Sequence, residues 1–191
     1  MAETRAANRR VLVGIGGSVA AFKACEVVTE LRRRDVEVRV AMTAAATRFV
    51  TPTLLRALSG HRVAADMWEG ASIETEHGMS HLDLAAWCRL QCIVAASADL
   101  IARLALGLGD DAVTATALAC RAPMLIAPAM EAAMWEHPAT QAHCATLVTR
   151  GVRILGPVRG RLASGHEDAG RMVEPDVIVA AVEESLGVDA G

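Results

Sequence analysis

Residues 124–135 read Met-Leu-Ile-Ala-Pro-Ala-Met-Glu-Ala-Ala-Met-Trp, a short apolar run followed by a proline and an apolar loop. The run has the length and character of a buried strand, and Pro128 ends it because proline has no N–H to donate to a sheet. A loop at the carboxyl end of a strand in an α/β sheet is where ligands usually bind. An apolar loop of this kind can equally cover the end of a helix or form a contact between subunits.

A second informative pattern lies near the start of the chain, where the strand-like run from Arg10 to Ile15 leads into Gly16-Gly17-Ser18. We predict a strand covered on both faces, a glycine turn, and a helix over residues 19–33. Such a turn offers backbone N–H groups and a helix dipole to a phosphate, and Ser18 either caps the helix or donates its hydroxyl. Because the third spaced glycine of the dinucleotide fingerprint is missing, a tight turn with a capping serine explains the pattern equally well.

Strand and helix patterns alternate along the chain, which predicts an α/β fold with a doubly wound parallel sheet. Further strands are expected over residues 36–42, 63–67, 91–96, 124–127 and 152–155. Further helices are expected over residues 43–58, 98–106, 112–119, 138–150 and 174–186, with a loop over 69–80. Small residues and hydroxyls follow three of the strands, at Gly16 to Ser18, Thr43 and Ser97. That edge of the sheet suits a phosphorylated cofactor.

The composition restricts the class of protein. The chain has 191 residues, of which 53% are hydrophobic and 21% charged, with a net charge of −3. These values predict one globular domain over residues 1–191, with a flexible N-terminus at 1–9. We expect no nucleic-acid or membrane partner, since there is neither an extended basic run nor a long apolar segment. The start of the chain lacks the apolar core of a signal peptide, so a cytoplasmic location is expected.

The cysteines do not form a metal-binding pattern. The five are scattered along the chain, at Cys25, Cys88, Cys92, Cys120 and Cys144. Cys88 and Cys92 are spaced for one helix face, but no second pair of ligands follows them, so no metal site is expected. We therefore predict that the cysteines are reduced.

Residues 156–171 are rich in glycine and charge, without hydrophobic periodicity. A connection of this length is usually a lid or a binding loop. We predict that residues 157–171 form a substrate flap, and that recognition of the substrate lies around Arg159 to Arg171.

Several motifs in one order resemble the homo-oligomeric flavin-containing cysteine decarboxylases. The nearest branch is phosphopantothenoylcysteine decarboxylase, and the lantibiotic-type peptidyl-cysteine decarboxylases are close relatives. The resemblance covers the chain from Arg10 to about Pro175. It rests on Gly-Gly-Ser-Val-Ala-Ala-Phe-Lys at 16–23, Met-Thr at 42–43 with Phe49, His81 before Leu82, Asp110-Asp111, Pro-Ala-Met-x-x-x-Met-Trp at 128–135 and Gly-Arg-Met at 170–172.

The resemblance implies a flavodoxin-like sheet, a homo-trimer or dodecamer, and FMN (with FAD possible) held between neighbouring subunits. It makes His81 the catalytic base. It assigns Met134, Trp135, Arg159 and Arg161 to the substrate, which is a peptide or small molecule ending in cysteine. The positions that it assigns to the cofactor are Gly16, Gly17, Ser18, Thr43, Phe49, Ser97, Ala98, Asp99 and Met130.

The resemblance also implies the chemistry. The Cβ of the substrate cysteine loses a hydride to the flavin and becomes a thioaldehyde. The carboxylate is then β to a C=S group, so CO2 leaves and an enethiolate forms. The imidazole of His81 would remove or shuttle the thiol proton, because histidine titrates near neutrality.

Two catalytic positions depart from the family pattern. Glu131 stands where the family has an asparagine that helps bind the substrate carboxylate, and two carboxylates about 4 Å apart repel by about 4 kcal/mol at an effective dielectric constant of about 20. Glu131 is therefore protonated, or turned away, or the substrate differs. Ser164 stands where the phosphopantothenoylcysteine branch has a cysteine that protonates the enethiol, and serine is a far poorer acid. Near the flavin, Ala95 and Asp99 replace a family proline and asparagine.

These departures favour an enzyme that stops at the enethiol. We predict oxidative decarboxylation of the C-terminal cysteine of a peptide to an aminoenethiol, and the lack of a fused synthetase fits a dedicated pathway enzyme. The alternative is a phosphopantothenoylcysteine decarboxylase of coenzyme A biosynthesis. A second alternative is a flavin-binding regulatory subunit without catalysis.

Overall fold

The run from Arg10 to Ile15 forms a strand that is paired on both sides within a six-stranded parallel sheet. The structure, a computed structural model, describes residues 9–68 and 80–187. The order of the strands across the sheet is β3-β2-β1-β4-β5-β6. Their bounds are β1 Arg10–Ile15, β2 Glu37–Met42, β3 Val63–Ala64, β4 Leu90–Ala96, β5 Met124–Pro128 and β6 Arg153–Ile154.

The direction in which strands are added reverses between β1 and β4. From β1 the chain builds outward through β2 to β3, and then returns to place β4 on the other side of β1. Such a reversal opens a crevice at the carboxyl ends of the two strands, which is the usual ligand site of this architecture. The confirmed fold class is therefore a doubly wound, flavodoxin-like α/β sheet.

The helices cover the two faces of the sheet in separate layers. One apolar core holds Val11, Val13 and Ile15 of β1, and the other core holds Leu12, as alternation along a strand requires. The helices that pack on the first core are α1 Lys23–Arg33, α2 Pro52–Ser59 and α8 Pro175–Ser185. Those on the second core are α3 Ser80–Trp87, α4 Ala98–Leu106, α5 Ala112–Ala119 and α7 Pro138–Thr149, and the short α6 Ala132–Trp135 follows β5.

The helical segment predicted from Thr43 towards Leu58 is interrupted. A short 3-10 helix spans Ala46–Arg48, and α2 begins only at Pro52. The side chain of Thr51 caps α2 by accepting a hydrogen bond from the N–H of Leu54. Threonine before proline is a strong signal for a new helix start, which explains the break.

Residues 156–171 contain a hairpin that the sequence did not predict. The strands β7 Val158–Arg161 and β8 Glu167–Arg171 pair antiparallel, apart from the main sheet. Gly165 lies in the turn with φ +90°, where glycine meets no steric cost. The strands are short, charged and mostly exposed, so they carry no alternating apolar pattern from which a strand can be recognised.

Other boundaries also differ from the predictions. The strand predicted over 63–67 covers only Val63–Ala64, and the one over 152–155 covers Arg153–Ile154. Both lie at sheet edges, where pairing on one side alone leaves strands short. Residues 69–79 of the predicted loop and 1–8 of the predicted flexible start lie outside the described residues. Within the described residues, no helix has the length and apolar character needed to span a membrane.

Candidate active site

A cavity of about 640 Å³ opens at the carboxyl ends of β1, β4 and β5. This volume lies within the range of pockets that bind small molecules and cofactors. The hairpin forms one wall of the cavity through Arg161, Leu162 and Ala163. The predicted site residues that line it are Gly17, Ser18, Phe49, Ser97, Met130, Glu131, Met134 and Arg161.

The glycine turn after β1 packs too closely for larger residues. A Cβ on Gly16 would overlap the carbonyl oxygen of Ala95, and a Cβ on Gly17 would overlap the side chain of Ala45. Glycine is therefore required for packing at both positions. Ser18 caps the following 3-10 helix by accepting a hydrogen bond of 3.1 Å from the N–H of Ala20. The turn thus presents backbone and one hydroxyl to the cavity.

The end of β4 supplies a second hydroxyl beside a strained residue. Ser97 caps α4, since its Oγ accepts from the N–H of Leu100 at 3.3 Å. Ala95 has φ +56°, and its N–H donates to the sulfur of Met172 at 3.3 Å. The register between β4 and β5 shifts at this point. The irregularity ends the strand and turns the chain into Ser97 at the cavity.

The loop after β5 and the hairpin are joined by backbone contacts. Met130 donates its N–H to the carbonyl oxygen of Gly170 at 3.0 Å, and Ala129 donates to that of Ala96 at 2.9 Å. Gly170 has φ +136°, and a Cβ there would overlap the carbonyl oxygen of Met130. Glycine is therefore required where the hairpin meets the loop. This contact fixes β8 against the loop that carries Glu131.

Glu131 and Ser164, the two departures from the family pattern, contact each other. The Ser164 hydroxyl donates to one Glu131 oxygen at 2.8 Å, and the Ser164 N–H donates to the other at 3.1 Å. Both carboxylate oxygens therefore face the turn of the hairpin. Glu131 is therefore held towards the flap while it still lines the cavity.

The rest of the lining is apolar, with cations at one side. Phe22, Phe49 and Met134 line the cavity and remain 59%, 48% and 47% exposed. Lys23 also lines it and donates to Glu174 at 2.7 Å. This hydrogen bond lowers the pKa of the Glu174 carboxyl, which also pairs with Arg171 of the lining. Large, exposed apolar side chains in a cavity are typical of a ligand-binding site.

Several predicted site residues do not line the cavity. Gly16, the first residue of the glycine turn, packs against the backbone of Ala95. Thr43 is buried, and its hydroxyl accepts from the N–H of Ala46. Trp135 packs on the second core, and its carbonyl accepts from Gln141. The others outside the lining are His81 in α3, Ala98 and Asp99 in α4, Arg159 in β7 and Ser164 in the hairpin turn.

The acids near α4 interact with an arginine outside the lining. Arg103 contacts Asp111 at 2.8 Å and Asp99 at 3.9 Å, and also pairs with Asp110. The hydrogen bond from Arg103 lowers the pKa of Asp110. Asp111 caps α5 by accepting from the N–H groups of Val113 and Thr114. These contacts stabilise helix ends behind the site.

Some lining residues were not predicted individually. Phe22 and Lys23 stand inside the motif at 16–23, and Met172 ends the Gly-Arg-Met motif, so the resemblance offered a signal for each. Leu162 and Ala163 line the cavity because the hairpin folds over it. No local pattern indicates that fold-back, since it depends on the contact between Gly170 and Met130.

The residues of the cavity fit FMN. Two hydroxyls, Ser18 and Ser97, and the close-packed Gly17 backbone lie at the ends of adjacent strands, where a phosphate and a polyol chain find donors. The exposed side chains of Phe22, Phe49 and Met134 suit the faces of an aromatic ring system. The lining therefore divides into a polar part and an apolar part, as a phosphorylated ring cofactor requires.

Residues 1–187 match the model of a protein family described as Flavoprotein. The chain belongs to this family. Among curated proteins, it is 42% identical over 178 residues to the coenzyme A biosynthesis bifunctional protein CoaBC of Vibrio vulnificus (strain YJ016). The match covers 93% of this chain and 44% of that protein, so the chain spans less than half the length of this relative.

Solved structures with a similar fold match the chain over nearly their whole length. One is a cysteine-to-serine mutant of PPC decarboxylase complexed with pantothenoylaminoethenethiol, at 29% identity, a TM-score of 0.80, and coverage of 92% of this chain and 96% of that one. Another is the FMN-dependent cysteine decarboxylase SpaF, at 33% identity, a TM-score of 0.79, and coverage of 94% and 98%. The predicted resemblance to flavin-dependent cysteine decarboxylases and the predicted FMN cofactor are confirmed.

Proposed function

We propose that this chain uses FMN to decarboxylate the terminal cysteine of phosphopantothenoylcysteine. The observation that carries the proposal is one cavity lined by the Ser18 and Ser97 hydroxyls, by large apolar side chains and by the hairpin that carries Arg161. The sequence alone favoured a peptide substrate. The 42% identical CoaBC relative is named for coenzyme A biosynthesis, which supports the small substrate instead.

Arg161 is the residue that we propose for an anionic group of the substrate. It lines the cavity, and among the described residues no ion pair includes it. Lys23 and Arg171, the other cations of the lining, already pair with Glu174. An unpaired guanidinium can bind a carboxylate or a phosphate through two hydrogen bonds. The neighbouring Arg159 is exposed and lies 3.7 Å from Asp168.

Glu131 has a different role in this proposal from that of the family asparagine. Its charge would repel a substrate carboxylate, but the two hydrogen bonds from Ser164 hold both oxygens towards the hairpin turn. We propose that Glu131 positions the hairpin. The substrate carboxylate would then be bound by Arg161.

When bound, FMN supplies the two-electron acceptor that oxidation of the substrate Cβ requires. The apolar lining holds the reacting carbon away from water, which protects the enethiol that decarboxylation leaves. The thiol proton needs a base, and the resemblance assigns that role to His81.

His81 does not line the cavity of its own chain, which supports a second copy as partner. Its Nδ1 is buried and has no hydrogen-bond partner in the described structure. On the same helical layer, Leu106 and Leu118 are 66% and 58% exposed. Exposed leucines of this kind are typical of a subunit interface. We propose a homo-oligomer, in which His81 serves the cavity of a neighbouring copy.

A peptide ending in cysteine remains a second candidate because of Ser164. The serine hydroxyl donates to Glu131 and is too weak an acid to protonate an enethiol at neutral pH. An enzyme without that acid releases the enethiol, which is also the product expected of peptide maturation. Which substrate reacts and whether the product is the enethiol are independent of each other. The following experiment measures both.

The test is anaerobic incubation of the purified yellow protein with phosphopantothenoylcysteine and, separately, with a peptide ending in cysteine, read by mass spectrometry. We expect phosphopantothenoylcysteine to lose CO2 and two hydrogen atoms, while the peptide stays unchanged. Loss of CO2 alone would mean that Ser164 or water replaces the missing acid. Reaction of the peptide alone would overturn the proposed substrate, and no reaction with either would favour a flavin-binding regulatory subunit.

The variant Ser164→Cys shows whether the side chain at this position or the substrate determines which product is released. A thiol at this position supplies the missing acid, so we expect the product to shift towards loss of CO2 alone. Ser164→Ala serves as the matched control and should still give the enethiol. An unchanged product in Ser164→Cys would contradict the role given to this position.

A further inference from the structure

Two cysteines outside the active site lie in direct contact. The Sγ atoms of Cys88 and Cys120 are 3.0 Å apart. Cys88 follows α3 and precedes β4, and Cys120 follows α5 ahead of β5. The pair therefore lies at the amino ends of the strands, on the opposite edge of the sheet from the FMN cavity. The spacing of Cys88 and Cys92 had suggested one helix face, which is wrong because Cys92 lies in β4.

The surroundings of the pair favour reaction with a small oxidant. A second cavity, of about 590 Å³, is lined by Cys88, Arg89 and Arg121. The two guanidinium groups give this cavity a positive charge, which attracts anionic molecules. Cys120 is partly exposed, whereas Cys88 is only 2% exposed. The chain neighbours of Cys120, Ala119 and Arg121, line this cavity, so an anionic oxidant drawn to it lies beside the more exposed of the two thiols.

The pKa values of the two thiols also favour Cys120 as the more reactive one. The hydrogen bond from Cys88 lowers the pKa of Cys120 to about 7, and Arg89 lowers it further. The same contact, together with burial, raises the pKa of Cys88. The N–H of Ala122 also donates to the Cys120 sulfur at 3.4 Å. Cys120 is thus the nucleophile of the pair, and Cys88 holds its proton until the second step.

We propose that Cys88 and Cys120 form a redox-active dithiol that small anionic disulfides oxidise reversibly. In the first step the Cys120 thiolate attacks one sulfur of the oxidant, forms a mixed disulfide and releases one thiolate. In the second step Cys88 loses its proton and attacks the Cys120 sulfur, which releases the second thiolate. The protein loses two electrons and two protons, and the oxidant becomes two thiols.

The bond would join two segments that are 32 residues apart in the chain. It would fix the end of α3, the helix that carries His81, to the end of α5. A crosslink that closes a loop of this length removes much freedom from the unfolded chain. Oxidation should therefore raise the melting temperature, whether or not the proposed decarboxylase function holds.

The test is incubation of the full-length protein with glutathione disulfide, followed by alkylation under denaturing conditions and peptide mapping. We expect a disulfide between Cys88 and Cys120, alkylated Cys25, Cys92 and Cys144, and a melting temperature that dithiothreitol lowers again. The oxidation rate should fall as the pH is lowered through about 7, since Cys120 then binds a proton. Glutathione that stays on Cys120 while Cys88 is alkylated would overturn the proposal.

Variants provide a second measurement. Cys120→Ser should abolish the thermal shift, and the matched control Cys144→Ser, which changes a buried thiol of the same core outside the pair, should retain it. If every cysteine of the wild-type protein stays unmodified after incubation with glutathione disulfide, the proposal is also overturned. This outcome does not depend on whether a variant folds.

Discussion

Glu131 and Ser164 show how two residues that are separately unfavourable become consistent in a structure. A carboxylate in a cavity that binds a carboxylate is repulsive, and a serine is a poor substitute for an acidic thiol. Their mutual hydrogen bonds turn the carboxylate towards the hairpin and use the hydroxyl as a donor. The sequence identified both positions because each departs from a family motif. It could not predict their contact, since this depends on how the hairpin folds.

Replacing Glu131 measures how strongly its carboxylate still repels the carboxylate of the substrate. Glu131→Gln keeps the shape and one acceptor for Ser164 but removes the charge, so we expect KM for the substrate to fall by about tenfold, since about 1.4 kcal/mol corresponds to a factor of ten. Steady-state kinetics give the value. The matched control is Glu136→Gln, an exposed acid outside the lining. A higher KM in Glu131→Gln alone would show that the carboxylate itself is needed.

The two arginines of β7 allow a direct comparison of neighbouring cations. Arg161→Ala should raise KM by about tenfold to a hundredfold, because one charged hydrogen-bonded contact contributes about 1.5–3 kcal/mol. Arg159→Ala, which removes a paired and exposed cation, should leave KM unchanged within about twofold. Equal effects of the two substitutions on KM would disprove the role given to Arg161.

At the scale of elements, the main features were predictable and the edges were not. The apolar runs of β1, β4 and β5 are unbroken, so they were recognised as buried strands. The hairpin was predicted only as a flap, because its strands are short and polar. The irregular end of β4 at Ala95 was not predicted, because the sequence marked this position only as one where the family has proline.

The backbone conformation at Ala95 predicts how two substitutions change the free energy of unfolding. Proline cannot adopt φ +56° and has no N–H for the Met172 sulfur, so Ala95→Pro should reduce the free energy of unfolding by about 3 kcal/mol or more. Ala95→Gly accepts the positive φ, and its effect should stay within about 1 kcal/mol. Urea denaturation measures both. A proline variant as stable as the wild type would show that this segment has a different conformation in solution.

At the scale of the whole molecule, the topology gathers the site from distant parts of the chain. Residues near 17, 97, 130 and 161–172 meet because the strand order reverses between β1 and β4 and the hairpin folds back. Small residues after the strands led to the prediction of a cofactor at this edge, and the cavity opens there. Trp135 and Thr43 were predicted in the same site, but Thr43 is buried and Trp135 packs, partly buried, against the second core. Apolar and hydroxyl residues serve in cores and sites alike, so local pattern does not separate the two.

Subunit mixing tests whether His81 serves a neighbouring copy. His81→Ala removes the base, and Ser18→Glu places a charge that repels a phosphate in the cavity. Each variant alone should be inactive, and their co-expression should restore part of the wild-type activity in assemblies that hold one intact site. Co-expressed assemblies without any activity would place His81 and the cavity in the same subunit.

Flavin-dependent decarboxylation by this chain is tested by the absorbance of the bound flavin during anaerobic mixing with phosphopantothenoylcysteine, with released CO2 recorded in parallel. We expect the yellow flavin to bleach as CO2 appears, in equal amounts, and to stay bleached until oxygen is admitted. Because Ser164 does not protonate the enethiol, the reduced flavin cannot return its hydride to the product. A flavin that remains yellow while no CO2 is released would contradict the claim that this chain is a flavin-dependent decarboxylase of that substrate.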